Sequence, residues 1–318
     1  MTTRAKRPRH PIEHGSVGSR FKIMREDGRM GRPLRLGTRT FGPGDLAVMA
    51  IVNRTPDSFF DRGATFADDA ALLAVERAVG EGADIVDIGG VKAGPGAPVD
   101  AAEEIRRTIA TVAAVRKRFP DVVISIDTWR AEVATEAVAA GADLINDTWA
   151  GADPGLAEVA AATGAGLVCS HAGGLRPRTR PHRAAFDDVV ADVIATVTRL
   201  ADRAVDLGVR RDGVLIDPAH DFGKNTRHSL ELTRRLGEMV ATGWPVLVAV
   251  SNKDFIGETL DLPVDQRLDG TLAATAVAAW QGARVFRAHQ VRPTRHVLDM
   301  VASIRGDRPP AVARRALA

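Results

Sequence analysis

Cysteine is nearly absent from this 318-residue chain. The single one, Cys169, rules out a disulfide within the chain and leaves no thiolate set for a metal cluster. Long apolar runs are missing too: nothing approaches the ~20 uninterrupted apolar residues of a membrane span. The opening stretch MTTRAKRPRHPIEHGS is basic but has no apolar core, so a secretory signal is not expected. Charge of one sign is scarce in net terms, with 43 basic against 40 acidic residues, and no basic stripe is interleaved with aromatics. A nucleic-acid partner is therefore not expected, nor a membrane. No Gly-x-Gly-x-x-Gly follows the first apolar run, so the dinucleotide fingerprint is missing where it would stand. These absences leave a soluble, cytoplasmic protein with a small-molecule ligand as the expectation.

What is present is an ordinary globular composition, 45% hydrophobic and 26% charged. Residues 1–20 are Pro- and Arg-rich and aperiodic, and read as a disordered basic tail. Residues 21–46 form an irregular lead-in with a short hairpin, and 307–318 a C-terminal tail. Between them, in 47–306, apolar runs suited to buried parallel strands alternate with helical patterns. The runs are 47–52, 84–88, 122–126, 143–146, 166–169, 213–216, 246–250 and 284–287. The helical patterns are 67–81, 101–118, 130–140, 155–163, 186–207, 228–242, 265–281 and 292–304. Several helices end in Gly-Ala or Gly-Val before the next run, the usual chemistry of a helix-to-strand turn. Eight such units in series predict an α/β fold, a single-domain (β/α)8 TIM barrel, ahead of an open doubly wound sheet.

In a barrel the functional residues sit at the C-terminal ends of the strands. Nearly every run here ends in a side chain that binds ligands or moves protons. Asp127, Asn146 and Asp217 suit a flat, hydrogen-bonding heterocycle, and without one the two carboxylates would be costly to bury. Lys253 can neutralise one of them and donate to the ring. Arg287 and His289, two apart on one face, make with Asn53 a cationic corner for phosphate or pyrophosphate. Asn53 offers a neutral oxygen that Mg²⁺ can share with phosphate oxygens. Asp147, Thr128 and Ser170 can be read as caps alone.

The blocks NRTPDSFFDRG (53–63), DIGG (87–90), SIDT (125–128), IND (145–147), DPAHDFGK (217–224) and SNK (251–253), then Arg287 and His289, come in the order of the dihydropteroate synthases. The chain resembles that family from about 47 to 304. The resemblance implies a homodimeric TIM barrel that joins 6-hydroxymethyl-dihydropterin pyrophosphate to p-aminobenzoate with Mg²⁺. It implies that Asn53 holds the metal and pyrophosphate. Asp127, Asn146, Asp217 and Lys253 would hold the pterin, with Asp127, Asp217 and Lys253 nearest the chemistry. Arg287 and His289 would take the phosphates, and Phe222 would stack on the aminobenzoate.

The chain also departs from the family. The family's Gly-Gly-Glu-Ser-Thr-Arg-Pro-Gly loop reads GGVKAGPG, with Val91, Lys92, Ala93 and Gly94 replacing its polar residues. The family's Ser-Arg-Lys-Ser-Phe reads Ser251, Asn252, Lys253, Asp254, Phe255. Ser251 and Asp254, with Ala93 and Gly94, thus mark the aminobenzoate region. Asp254 is expected to cap its own helix and to repel that acid. Ala249 adds a methyl to the ring slot, and His220 and Asp221 replace a Gly-rich stretch, read in isolation as a mobile loop. The expectation is a diverged synthase paralogue, with weak or no activity, that still binds pterin or sulfone and sulfonamide ligands. The alternatives are a working synthase that uses Lys92, a methyl-transfer relative, and a non-catalytic pterin-site binding protein.

Overall fold

The computed structural model describes residues 32–55, 65, 68–179 and 185–315. The expected tail, residues 1–20, and residues 56–63 of the first loop lie outside them. Strands β1 (Leu34–Leu36) and β2 (Arg39–Phe41) pair antiparallel across a two-residue turn with Gly37 at φ 54°. Glycine takes that left-handed conformation without a Cβ penalty, and the turn then follows the natural twist of its strands. Leu34, Leu36 and Phe41 are buried with Met49, Ile85, Val123, Leu144 and Val285. The hairpin thus plugs the N-terminal end of the barrel. The Arg284 guanidinium ties it down, donating to the carbonyls of Arg32 at 2.7 Å and Phe41 at 3.0 Å.

The barrel strands are β3 (Ala47–Asn53), β4 (Ile85–Gly89), β5 (Val123–Asp127), β6 (Leu144–Asp147), β7 (Gly166–Ser170), β8 (Val214–Asp217), β9 (Leu247–Val248) and β10 (Val285–Ala288). All pairings are parallel. β10 pairs with both β9 and β3, and a bridge from Ile216 to Val246 joins β8 to the start of β9, so the ring closes. The helices are α1 (Asp68–Gly80), α2 (Ala101–Arg118), α3 (Ala131–Ala139), α4 (Gly155–Thr163), α5 (Val189–Asp206), α6 (Thr226–Arg234), α7 (Leu236–Val240), α8 (Asp254–Leu260), α9 (Leu268–Gln281) and α10 (Val291–Ile304). The expected helix 228–242 is two helices, broken at Arg235, whose φ of −104° and ψ of 18° leave the helical region.

The strands read as continuous apolar runs because both of their faces are covered. Ile124 and Ile126 on β5 face the helices, while Val123 faces the barrel interior. α5 answers with a stripe of Val190, Val193, Val197, Ala201 and Ala204, all buried. Its start is fixed by Asp188, whose carboxylate accepts from the Val190 and Ala191 amides at 2.9 and 3.1 Å. Each fully buried aliphatic side chain in these layers contributes about 1.5–3 kcal/mol. The interior layer is apolar up to mid-strand and then turns polar. That change of character, at Asp87, Ser125, Asn146 and Arg287, sets the floor of the site.

Candidate functional site

Asp87 on β4 is buried directly beside Ser125, its register partner on β5. Its Oδ1 accepts from Ser125 Oγ at 2.5 Å. Its Oδ2 accepts from Asn146 Nδ2 at 3.1 Å and from Arg287 Nε at 2.6 Å. The same guanidinium reaches Asp127 Oδ2 through Nη2 at 2.8 Å. One half-buried cation therefore bridges two carboxylates on adjacent strands. Burial pushes Asp127 up to about 7 against the pull of Arg287, with Asp87 and Glu104 pushing the same way as burial. Asn146 is almost fully buried and its Oδ1 has no hydrogen-bond partner among the described residues. That leaves an open acceptor at the floor of the mouth.

Asp217 ends β8, with Oδ1 accepting from the Ala219 amide at 2.7 Å. Burial raises its pKa while Lys253 opposes the rise. The Lys253 ammonium donates to the His220 carbonyl and lies 5.0 Å above the centre of the Phe222 ring. Burial lowers the Lys253 pKa, with Asp221 and then Asp217 the strongest charges resisting. Trp149 packs edge-on to Phe222 at 5.3 Å, a second aromatic wall that the sequence reading did not single out. Ala249 faces the same interior and is buried.

Of the expected cationic corner, Arg287 keeps its charge and His289 does not. Arg287 is spent on Asp87 and Asp127. His289 is half-buried, and desolvation, with Arg287 and Lys253 adding to it, drives its pKa down to about 3, so it is neutral. Its Nδ1 meets Ser251 Oγ at 2.9 Å, and its backbone N–H donates to the same hydroxyl at 3.2 Å. One charge, already paired, and one neutral hydrogen-bonding group stand where two free charges were expected. Asn53 ends β3 beside Gly89 on β4, with its carbonyl accepting from Thr65 Oγ1 at 2.6 Å.

Asp254 needs the plainest correction. The N-cap of α8 is Lys253, at φ −68° and ψ 160°, and Asp254 is the first residue inside the helix. From there its short side chain turns outward, largely exposed, to Arg267 at 2.8 Å. The carboxylate at the start of α8 belongs to Asp221: Oδ2 accepts from the Phe255 amide at 3.2 Å and Oδ1 from Ser229 Oγ at 2.9 Å. The stretch read as a mobile loop is thus fixed, with His220 buried and stacked on Phe255 at 5.6 Å. Asp147 closes its own turn onto the amides of Trp149 and Gly151, and Ser170 donates to the Asp147 carbonyl, so both have the bland role. Thr128 likewise accepts from the Arg130 amide at 3.2 Å.

Ala93 and Gly94 lie in the β4–α2 loop, and the loop is held from outside. Arg178, from the β7–α5 loop, donates to the carbonyls of Gly94 at 3.4 Å and Ala97 at 2.7 Å. Lys224 was also unassigned. Its buried ammonium donates to the carbonyls of His171, Ala219 and Phe222 at 3.0, 3.1 and 2.8 Å. Asp87 could have been found from alternation, since 85, 87 and 89 share one face of their strand. Arg178 and Lys224 carry no such local signal.

The geometry defines a (β/α)8 barrel whose mouth is lined by amide and carboxylate groups. A sequence model of the pterin binding enzymes matches residues 49–289, and the chain belongs to that family. Within it, the chain is a diverged homologue of the dihydropteroate synthases. It is 61% identical over 275 residues to a Mycobacterium leprae (strain TN) protein named inactive dihydropteroate synthase 2, covering 85% of this chain and 94% of that one. It is 39% identical over 254 residues to the dihydropteroate synthase of Haemophilus influenzae (strain ATCC 51907 / DSM 11121 / KW20 / Rd), covering 80% and 92%. The crystal structure of Yersinia pestis dihydropteroate synthase with a sulfonamide drug superposes with a TM-score of 0.81 at 35% identity, covering 86% of this chain and 100% of that one. Among the described residues no helix is long and apolar enough to cross a membrane.

Proposed function

We propose that this chain binds a pterin in its barrel mouth but condenses pterin pyrophosphate with p-aminobenzoate weakly or not at all. The observation that carries the loss is the 5.0 Å between the Lys253 ammonium and the Phe222 ring. An aryl ring inserted between two groups needs about 3.5 Å on each face, roughly 7 Å in all. Lys253 would have to leave both the ring and the His220 carbonyl to admit it. The name of the Mycobacterium leprae relative supports the same reading.

The pterin side is better provided. Asp127, Asn146 and Asp217 stand on β5, β6 and β8, and the open Asn146 acceptor fits an N–H of a heterocycle. An Asp127 carboxyl near half-protonation can accept or donate there. No group of three or more acidic, histidine or cysteine ligands gathers among the described residues. Asn53 would therefore hold Mg²⁺ only jointly with phosphate oxygens, and the ion would supply neutralising charge to the pyrophosphate. The one cysteine, Cys169, is buried and free, which supports a cytoplasmic setting.

Calorimetry with 6-hydroxymethyl-dihydropterin pyrophosphate and Mg²⁺ tests the reading, alongside a turnover assay beside the Haemophilus influenzae enzyme. Saturable heat with turnover below about a hundredth of that enzyme is expected, a barrier deficit of about 2.7 kcal/mol or more. Comparable turnover, or no heat at millimolar ligand, defeats it. We also propose a homodimer through α9 and α10. Val277 and Trp280 on α9, with Met300 and Ile304 on the adjoining α10, are 47–61% exposed. A face of that kind is normally covered. Light scattering is expected to give twice the chain mass, falling to the single mass for the double substitution Trp280→Asp, Met300→Asp. A single mass for the unaltered protein refutes it.

A further inference from the structure

The β8–α6 loop places a fixed negative charge beside Phe222, a half-exposed aromatic face of the mouth that Lys253 also covers. Asp221 directly precedes Phe222, and its backbone takes a left-handed φ of 69°, which a non-glycine residue adopts at a cost. Both carboxylate oxygens are held, one by Ser229 Oγ and the other by the Phe255 amide, and the Asp221 amide itself donates to Ser229 Oγ at 3.1 Å. The side chain is therefore anchored to α6 and α8 together and is not free to swing out of the way. Its charge is also the first that Lys253 feels, ahead of Asp217. The ammonium that would otherwise receive an incoming anion is already answered from within the chain. Asp254 on α8 points outward to Arg267, and its charge acts on Lys253 less than those of Asp221 and Asp217.

We propose that Asp221 sets the charge of the second ligand: the slot beside Phe222 takes uncharged aryl amines and turns away aryl carboxylates. This rests on the reading above of a pterin-binding mouth, where a ring reaches Phe222 only when Lys253 is drawn aside from it and from the His220 carbonyl, a cost that falls equally on the acid and its neutral analogue. A ring seated on Phe222 would place a para substituent toward Lys253 and the start of α8, where Asp221 already lies. An ionised substituent then meets a like charge in a partly desolvated setting, where screening is weak. A neutral substituent of the same shape does not.

The test compares p-aminobenzamide with p-aminobenzoate by calorimetry, since the two differ chiefly in charge. Pterin pyrophosphate is titrated separately into the same preparation. The unaltered protein is expected to bind the amide at least tenfold more tightly than the acid. Asp221→Asn, which keeps the shape and one acceptor, should bring the two within about threefold by strengthening the acid. Ser229→Ala removes an anchor but not the charge, so the preference should survive it. Asp221→Ser stands in if the asparagine variant does not fold. A residue that merely ties the loop to α8 would leave the ratio unchanged on losing its charge, and that result overturns the proposal. So does equal affinity for the two ligands in the unaltered protein, or binding of neither. Absence of pterin heat with the aryl preference intact would remove the pterin reading alone.

Discussion

Replacing Arg287 with methionine is expected to lower folding stability by about 3–5 kcal/mol at pH 8, because it strands two carboxylates in the barrel. Asp87 would keep only Ser125 and Asn146 as donors, and Asp127 would lose its ion pair. For a chain of this size the drop in Tm is about 4–8 °C. The pH dependence gives a second readout. Asp127 is already raised to about 7 in the folded protein, above its unfolded value, so its ionisation opposes folding. That penalty is fully present above pH 7 and fades as pH falls toward the unfolded value near 4. The deficit of Arg287→Met should therefore be smaller at pH 5 than at pH 8. Arg287→Lys keeps a charge but cannot span two carboxylates in a fork, and should fall between the two proteins. Denaturant titrations at the two pH values check this. A deficit under about 1 kcal/mol at pH 8 would mean the pair behaves as an exposed one.

The same residue shows what a sequence conveys and what it does not. The barrel was legible because each of its devices is local. Apolar runs mark strands covered on both faces, and glycines such as Gly141, at φ 116°, close the turns that feed them. A Cβ on Gly141 would meet the Arg116 side chain at 2.9 Å, so the residue is fixed by contact as well as by conformation. The ends of the strands were legible for the same reason, and with them Asp127, Asn146, Asp217 and Lys253. Which partner each side chain takes was not. Capping preference made Asp254 the natural anion for α8, yet the helix starts one residue earlier and the carboxylate arrives from Asp221, 34 positions away in sequence. Arg287 looked like a phosphate ligand because Asp87, 200 positions earlier, was not seen facing it. The sequence placed a carboxylate at the start of α8 on Asp254, whereas the one that reaches it is that of Asp221, because long-range pairing leaves no periodic trace.

Lys224 carries the other large effect. Three carbonyl acceptors use all three protons of an ammonium, and they come from both the β7–α5 and β8–α6 loops. Those loops touch backbone to backbone: a Cβ on Gly223 would sit 2.7 Å from the Ala172 carbonyl. Lys224→Met fills the space but leaves the carbonyls without a donor, at about 1–3 kcal/mol for each group that water does not reach. A loss of roughly 2–4 kcal/mol is expected, with loosening at Phe222 before global unfolding. Burial, with Lys253 adding to it, pulls the Lys224 pKa down to about 7, below its unfolded value. Its charge therefore opposes folding below pH 7, and stability from this group rises as pH climbs from 7 toward 10.4. The methionine variant lacks that rise, so the gap between the two proteins should widen from pH 6 to pH 9 by about 2–3 kcal/mol. Hydrogen exchange at the Phe222 and Gly223 amides reports the local step, and denaturant titration reports the global one. A gap that stays constant with pH would mean the Lys224 ammonium is not burdened in the fold, and a loss under about 1 kcal/mol would mean water already serves those carbonyls.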